Sequence, residues 1–193
     1  MRRDARTRAP LLPAGLVRAR AAERTGARPF PRLVELGLLV FFAVVAVYAA
    51  LLPLAPDSGM MPPDLLYCLV IAWTLRSPKP LPVLLVAGIG LFADLMLSRP
   101  MGLGALGLVL ASDFMRRRAG RLVGAPFPLE WLAAILVFTL MLAGEQAILH
   151  LVFAAPAGLH DLIGHLVGTA IAYPVAVLAL VRGLGLRAGT RTA

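Results

Sequence analysis

A second cysteine is missing from this chain: Cys68 stands alone among 193 residues. That excludes an internal disulfide and a zinc site built on cysteine spacing, and leaves Cys68, inside an apolar run, as a small packing residue. Charge is also scarce, at 15 % of residues, and lopsided, with 19 basic side chains against 10 acidic ones. The familiar catalytic signatures are absent as well. There is no His-Glu-x-x-His, and Glu145 to His150 and His160 to His165 are each five apart, a spacing that on a helix turns the two side chains well over a right angle from each other. Asp94 and Asp113 both close their runs, which in consecutive antiparallel spans puts them near opposite ends and rules out a facing aspartyl pair, and Gly88-Ile-Gly90 is a packing pair rather than a phosphate loop. The chain is therefore expected to be no enzyme and to need no metal or cofactor.

What the chain does contain is apolar: 60 % hydrophobic residues and a mean hydropathy of +0.84. Lipid rather than water is the solvent such a composition fits. Six apolar runs are legible: Leu33–Pro53, Asp64–Leu75, Leu81–Leu97, Met101–Phe114, Leu129–Phe153 and Leu159–Val181. The second is too short to cross a hydrocarbon core of about 30 Å on its own, so it should be packed inside the bundle. Positive charge marks the cytoplasmic face of a membrane protein. Nine arginines precede the first run, Arg76 and Lys79 follow the second, Arg116, Arg117, Arg118 and Arg121 follow the fourth, and three more end the chain. Threading the chain six times puts all of these on one side and only Arg99 on the other, with both termini cytoplasmic. Arginines placed between apolar runs report topology, so nucleic acid is not an expected partner. The resulting division is a basic, disordered tail over 1–32, an all-α polytopic membrane domain of six transmembrane helices over 33–182, and a short basic tail over 183–193.

The chain is organised around Met61–Arg118. Pro63-Asp64 opens a short helix that exits through Trp73-Thr74-Leu75-Arg76. Gly90-x-x-x-Asp94 closes the next, and Pro100-Met101-Gly102 turns into a Gly-rich helix ending in arginines. This order of motifs resembles MreD, the multi-pass member of the bacterial rod-shape, or elongation, machinery, over roughly Pro62–Arg118. The resemblance implies a non-enzymatic scaffold of the inner membrane that supports cell shape and lateral peptidoglycan synthesis. Its implied partners are MreC and, through MreC, MreB, RodA and a class B penicillin-binding transpeptidase. The bundle also resembles the substrate-capturing subunits of ECF-type vitamin transporters, which makes vitamin capture the alternative. Against it, the first run has no repeated Ala-x-x-x-Ala seam, because Ala43, Ala46, Ala49 and Ala50 scatter over adjacent faces.

Under the six-span threading, most titratable groups inside the runs gather toward the outward side. Asp64 and Asp161 open helices there, where a carboxylate either caps free N–H groups or meets a partner. Asp94 ends the third run and Arg99 lies in the turn after it. Glu145 needs protonation, a partner or a cavity, since an ionised carboxylate in mid-membrane costs about 2.5–3.5 kcal/mol on insertion scales. His165 is one turn beyond Asp161. These six residues form the candidate partner- or pocket-binding set. The candidate packing seams are Ala87 and Gly90 on the third run, Gly102, Gly104 and Gly107 at and after the turn, and Gly164, Gly168 and Ala172 on the sixth. Trp73 and Trp131 are expected as interfacial belt residues, and Pro174 as a kink in the last helix.

Overall fold

The computed structural model describes residues 31–52, 62–77, 81–122, 125–152 and 158–183. Among them are six helices and no strand: α1 Arg32–Leu51, α2 Leu65–Arg76, α3 Val83–Met96, α4 Leu103–Leu122, α5 Phe127–Leu151 and α6 Leu159–Gly183. A helix satisfies its own backbone N–H and C=O groups, which is what a solvent without hydrogen bonds requires. Most of the arginine-rich tail, the connections around Asp57 and Pro156, Lys79 and the end beyond 183 lie outside the described residues.

The outside of the bundle is as apolar as its core. Large apolar side chains cover the outer faces of α1, α3, α4, α5 and α6, among them Phe41, Leu84, Leu110, Leu136 and Ile171. The element with no outer face is α2, whose residues from Leu66 to Arg76 are all buried. It packs against α1, α4 and α6, while α3 joins α4, α4 joins α5 and α5 joins α6, so the other helices stand around it. By length and composition α1, α5 and α6 can cross a membrane, and α2 and α3 are shorter apolar helices. This is the make-up of an all-helical membrane protein.

Two sequence expectations are corrected. The arginines that follow the fourth run do not lie in a Gly/Pro-containing connection as expected; α4 continues through Arg116, Arg117, Arg118 and Arg121 to Leu122. Arginine is a good helix former, and two local contacts support the extension. Arg117 Nε donates to Asp113 Oδ2 at 2.7 Å, and the Arg118 guanidinium lies 4.1 Å from the centre of the Phe114 ring. Nor is Trp73 a belt residue: it has no exposed surface and packs inside the bundle near the end of α2.

The two tightest requirements sit where α3 turns into α4. Gly102 has φ +87°, a conformation that glycine adopts without steric cost. A β-carbon on Gly90 would stand 2.7 Å from the Ala105 backbone, so only glycine lets α3 and α4 approach this closely.

Candidate functional site

The polar side chains form two layers, one at each end of α2. At its N-terminal end Asp64 is the cap: Oδ1 accepts from Tyr67 N–H at 2.8 Å, and its own N–H donates to Thr169 Oγ1 at 3.0 Å. Arg99 Nη1 lies 3.6 Å from Asp64 Oδ2, which ties the α3–α4 turn to the entrance of α2. His165 is buried, and its Nδ1 is 2.6 Å from the Pro62 carbonyl oxygen. A carbonyl can only accept, so the ring carries its proton on Nδ1 and holds the chain leading into α2 against α6. Gly168 stands against Pro63, where a β-carbon would find room at 3.5 Å.

Asp94 in the same layer is 2 % exposed. Its Oδ2 accepts from Gly102 N–H at 3.0 Å and from Ala105 N–H at 3.1 Å, so a carboxylate on α3 caps the start of α4. The free N–H groups and dipole of a helix N-terminus suit that charge. Asp94 Oδ1 occupies the space that a β-carbon on Gly104 would need. Gly90, Asp94, Gly102 and Gly104 are thus one joint, with Ala87 half-buried two turns from its carboxylate. Gly107 continues the seam on α4 but meets Met141 of α5, a flexible side chain.

The second layer, at the other end of α2, was not singled out as a site from the sequence. Arg76 is 5 % exposed, and its Nη2 donates to both carboxylate oxygens of Glu130, at 2.9 and 3.2 Å. Tyr173 Oη donates to Glu130 Oε1 at 2.8 Å, and Arg76 Nη1 donates to the Ala72 carbonyl at 3.2 Å. Beside them Ser77 Oγ donates to Glu35 Oε1 at 2.7 Å. α2, α5 and α6 meet in the first group and α1 joins through the second. The available signal was that Glu35 and Glu130 lie at the arginine-rich ends of their runs.

Two expected site residues stand apart. Asp161 is half-buried in the first turn of α6 and is not the partner of His165, whose Nδ1 bond goes to Pro62. Glu145 is half-buried and makes no hydrogen bond or ion pair among the described residues. It lines a groove of about 260 Å³ between α4 and α5 whose other walls are apolar, with Leu106, Leu110, Leu140 and Met141 among them. A larger groove of about 600 Å³ runs between α1 and α6 over a floor of Leu65 and Leu69. Its sides carry small residues, Ala46 and Ala49 on α1, Gly168, Ala172 and Ala176 on α6. Gly164 is buried one turn before Gly168.

The last helix also explains Trp131. Pro174 has no N–H to offer the carbonyl four residues earlier, that of Ala170. Trp131 Nε1 reaches across from α5 and donates to that carbonyl at 2.9 Å, and α6 runs on to Gly183.

No family model, curated protein or solved structure gives a significant match to this chain.

Proposed function

We propose that this chain is a non-enzymatic scaffold of the bacterial elongation complex, an MreD-like protein that crosses the inner membrane six times with both termini in the cytoplasm. In this reading it binds MreC and, through it, MreB, RodA and the class B transpeptidase, and so supports lateral peptidoglycan synthesis. The observation that carries the proposal is how the residues of the resembling stretch are used. Asp64, Arg99, Gly90, Asp94, Gly102 and Arg76 hold helices to one another. Polar groups committed to internal joints suit a protein that positions partners. The apolar faces and the small-residue groove between α1 and α6 suit packing against single-span partners in lipid.

The vitamin-transporter alternative requires several convergent polar groups around a small molecule. The α4–α5 groove offers one carboxylate, Glu145, which weighs against it.

Affinity purification from membranes of the native host, followed by mass spectrometry, separates the two. MreC should co-purify with the wild-type chain, and less of it with Ala172→Trp, which fills the α1–α6 groove. Coupling and ATPase subunits of a transporter in place of MreC would overturn the scaffold reading. A full MreC yield with folded Ala172→Trp and Glu145→Leu variants would remove both grooves from the interface.

A further inference from the structure

We propose that the arginine turn of α4, Arg116 to Arg121, binds the phosphates of anionic phospholipids in a bilayer that is locally thinned along α3 and α4. The inference rests on the membrane-spanning reading, not on the scaffold role. α3 has 14 residues and the apolar part of α4, Leu103–Met115, has 13, so each covers about 20 Å at helical rise, against a hydrocarbon core of about 30 Å. α1, at 20 residues, and α5 and α6, at 25 each, are long enough for a full core. The mismatch is therefore confined to one side of the bundle. Both short apolar stretches face outward there, through Leu84, Leu91 and Leu95 on α3 and Leu106 and Leu110 on α4. A bilayer meets a short apolar span by thinning, which brings headgroups down to its ends.

The charges waiting at that end are unbalanced. Glu130 is taken by Arg76, and Asp113 by Arg117. Arg116, Arg118 and Arg121 have no ion pair among the described residues. Arg118 and Arg121 are exposed, with Arg118 steadied over Phe114. Arg116 Nε is enclosed and has no acceptor. The dipole of a helix C-terminus favours cations within its last turn, but Arg116 lies nearly two turns from Leu122, and the dipole leaves its Nε without an acceptor. Guanidinium forks match phosphate oxygens in pairs. Each arginine near an anionic surface contributes about 1 kcal/mol, or roughly fivefold in local lipid occupancy.

The test uses the full-length protein in nanodiscs with photoactivatable phosphatidylglycerol or phosphatidylcholine, labelled either in the headgroup or in the acyl chain. Cross-linked peptides are mapped by mass spectrometry, so that lipid held by the N-terminal arginines is counted separately. Headgroup labelling of the α4 peptide should favour phosphatidylglycerol. It should fall by about tenfold or more in an Arg116→Gln, Arg118→Gln, Arg121→Gln variant and return when the three are lysine instead. Equal labelling by both lipids, or labelling unchanged by the glutamine variant, overturns the proposal. So does its removal by inorganic phosphate at constant ionic strength, which would identify a site for soluble anions. Acyl-chain labelling of α3 and α4 reports separately on whether these helices lie in lipid; its absence would overturn the spanning reading itself.

Discussion

Removing Glu130 should be the most destructive single change outside the apolar core. Glu130→Leu would leave the Arg76 guanidinium enclosed at 5 % exposure, with the Ala72 carbonyl as its remaining acceptor among the described residues. Breaking a buried pair from one side costs about 3–5 kcal/mol, because the surviving charge stays desolvated without its partner. Tyr173→Phe deletes only the phenol's bond to the carboxylate, a loss of about 1.5–3 kcal/mol for a bond to a charged group. Replacing both charges, in Arg76→Leu with Glu130→Leu, removes the desolvation along with the attraction. The double variant should come back to within about 1 kcal/mol of wild type or exceed it. The assay is reversible unfolding in mixed micelles or bicelles, followed by circular dichroism, on the wild type, both single variants and the double. Single losses below about 1 kcal/mol would mean that Arg76 reaches water by extending along the helix end. A double variant as unstable as the sum of the singles would mean that the two residues act independently. Either result refutes the buried lock.

Asp94→Leu removes the charged acceptor of two backbone N–H groups and should destabilise the fold by about 2–3 kcal/mol in the same assay, from the combined loss of a cap and of bonds to a carboxylate. Gly90→Val should cost at least as much, because the side chain meets the α4 backbone; wild-type stability would show that α3 and α4 separate freely. Trp131→Phe should cost about 1–3 kcal/mol by leaving the Ala170 carbonyl without a donor. The same change should cost much less in a Pro174→Ala background, where the backbone N–H returns, and equal costs in the two backgrounds would remove the indole from this role. Reporter fusions after Pro56 and Pro156 should both read as periplasmic under the six-span threading, and intracellular signals from both would overturn it.

Hydrophobic run length was enough to read six helices and to place α2 inside the bundle, since twelve apolar residues cannot satisfy a full bilayer. The α3–α4 joint was partly legible because its residues are close in the chain: Gly90, Asp94, Gly102 and Gly104 fall within fifteen positions. Periodicity placed the first two on one face, but it could not say that Asp94 caps the next helix. The Arg76–Glu130–Tyr173 group was illegible as a group because its members are 54 and 43 residues apart, and no local pattern pairs distant helices. Trp73 was misplaced for a related reason. An aromatic next to an arginine resembles an interfacial anchor until the surrounding helices are known to close over it. The end of α4 was missed because a cluster of charge marks the end of an apolar run without marking the end of a helix.

The distance along the chain between Arg76 and Glu130 also imposes an order on biosynthesis. When α2 leaves the ribosome it is twelve residues long and ends in a cation whose partner will not exist for another 54 residues, a wait of roughly 3–10 s at ordinary elongation rates. Until then the translocon has little reason to release this segment into lipid, so its final placement belongs to the arrival of α5 and α6. Nascent chains truncated before Glu130, though still anchored by α1, should accordingly be cleared by membrane proteases, whereas chains carried past Tyr173 should resist them.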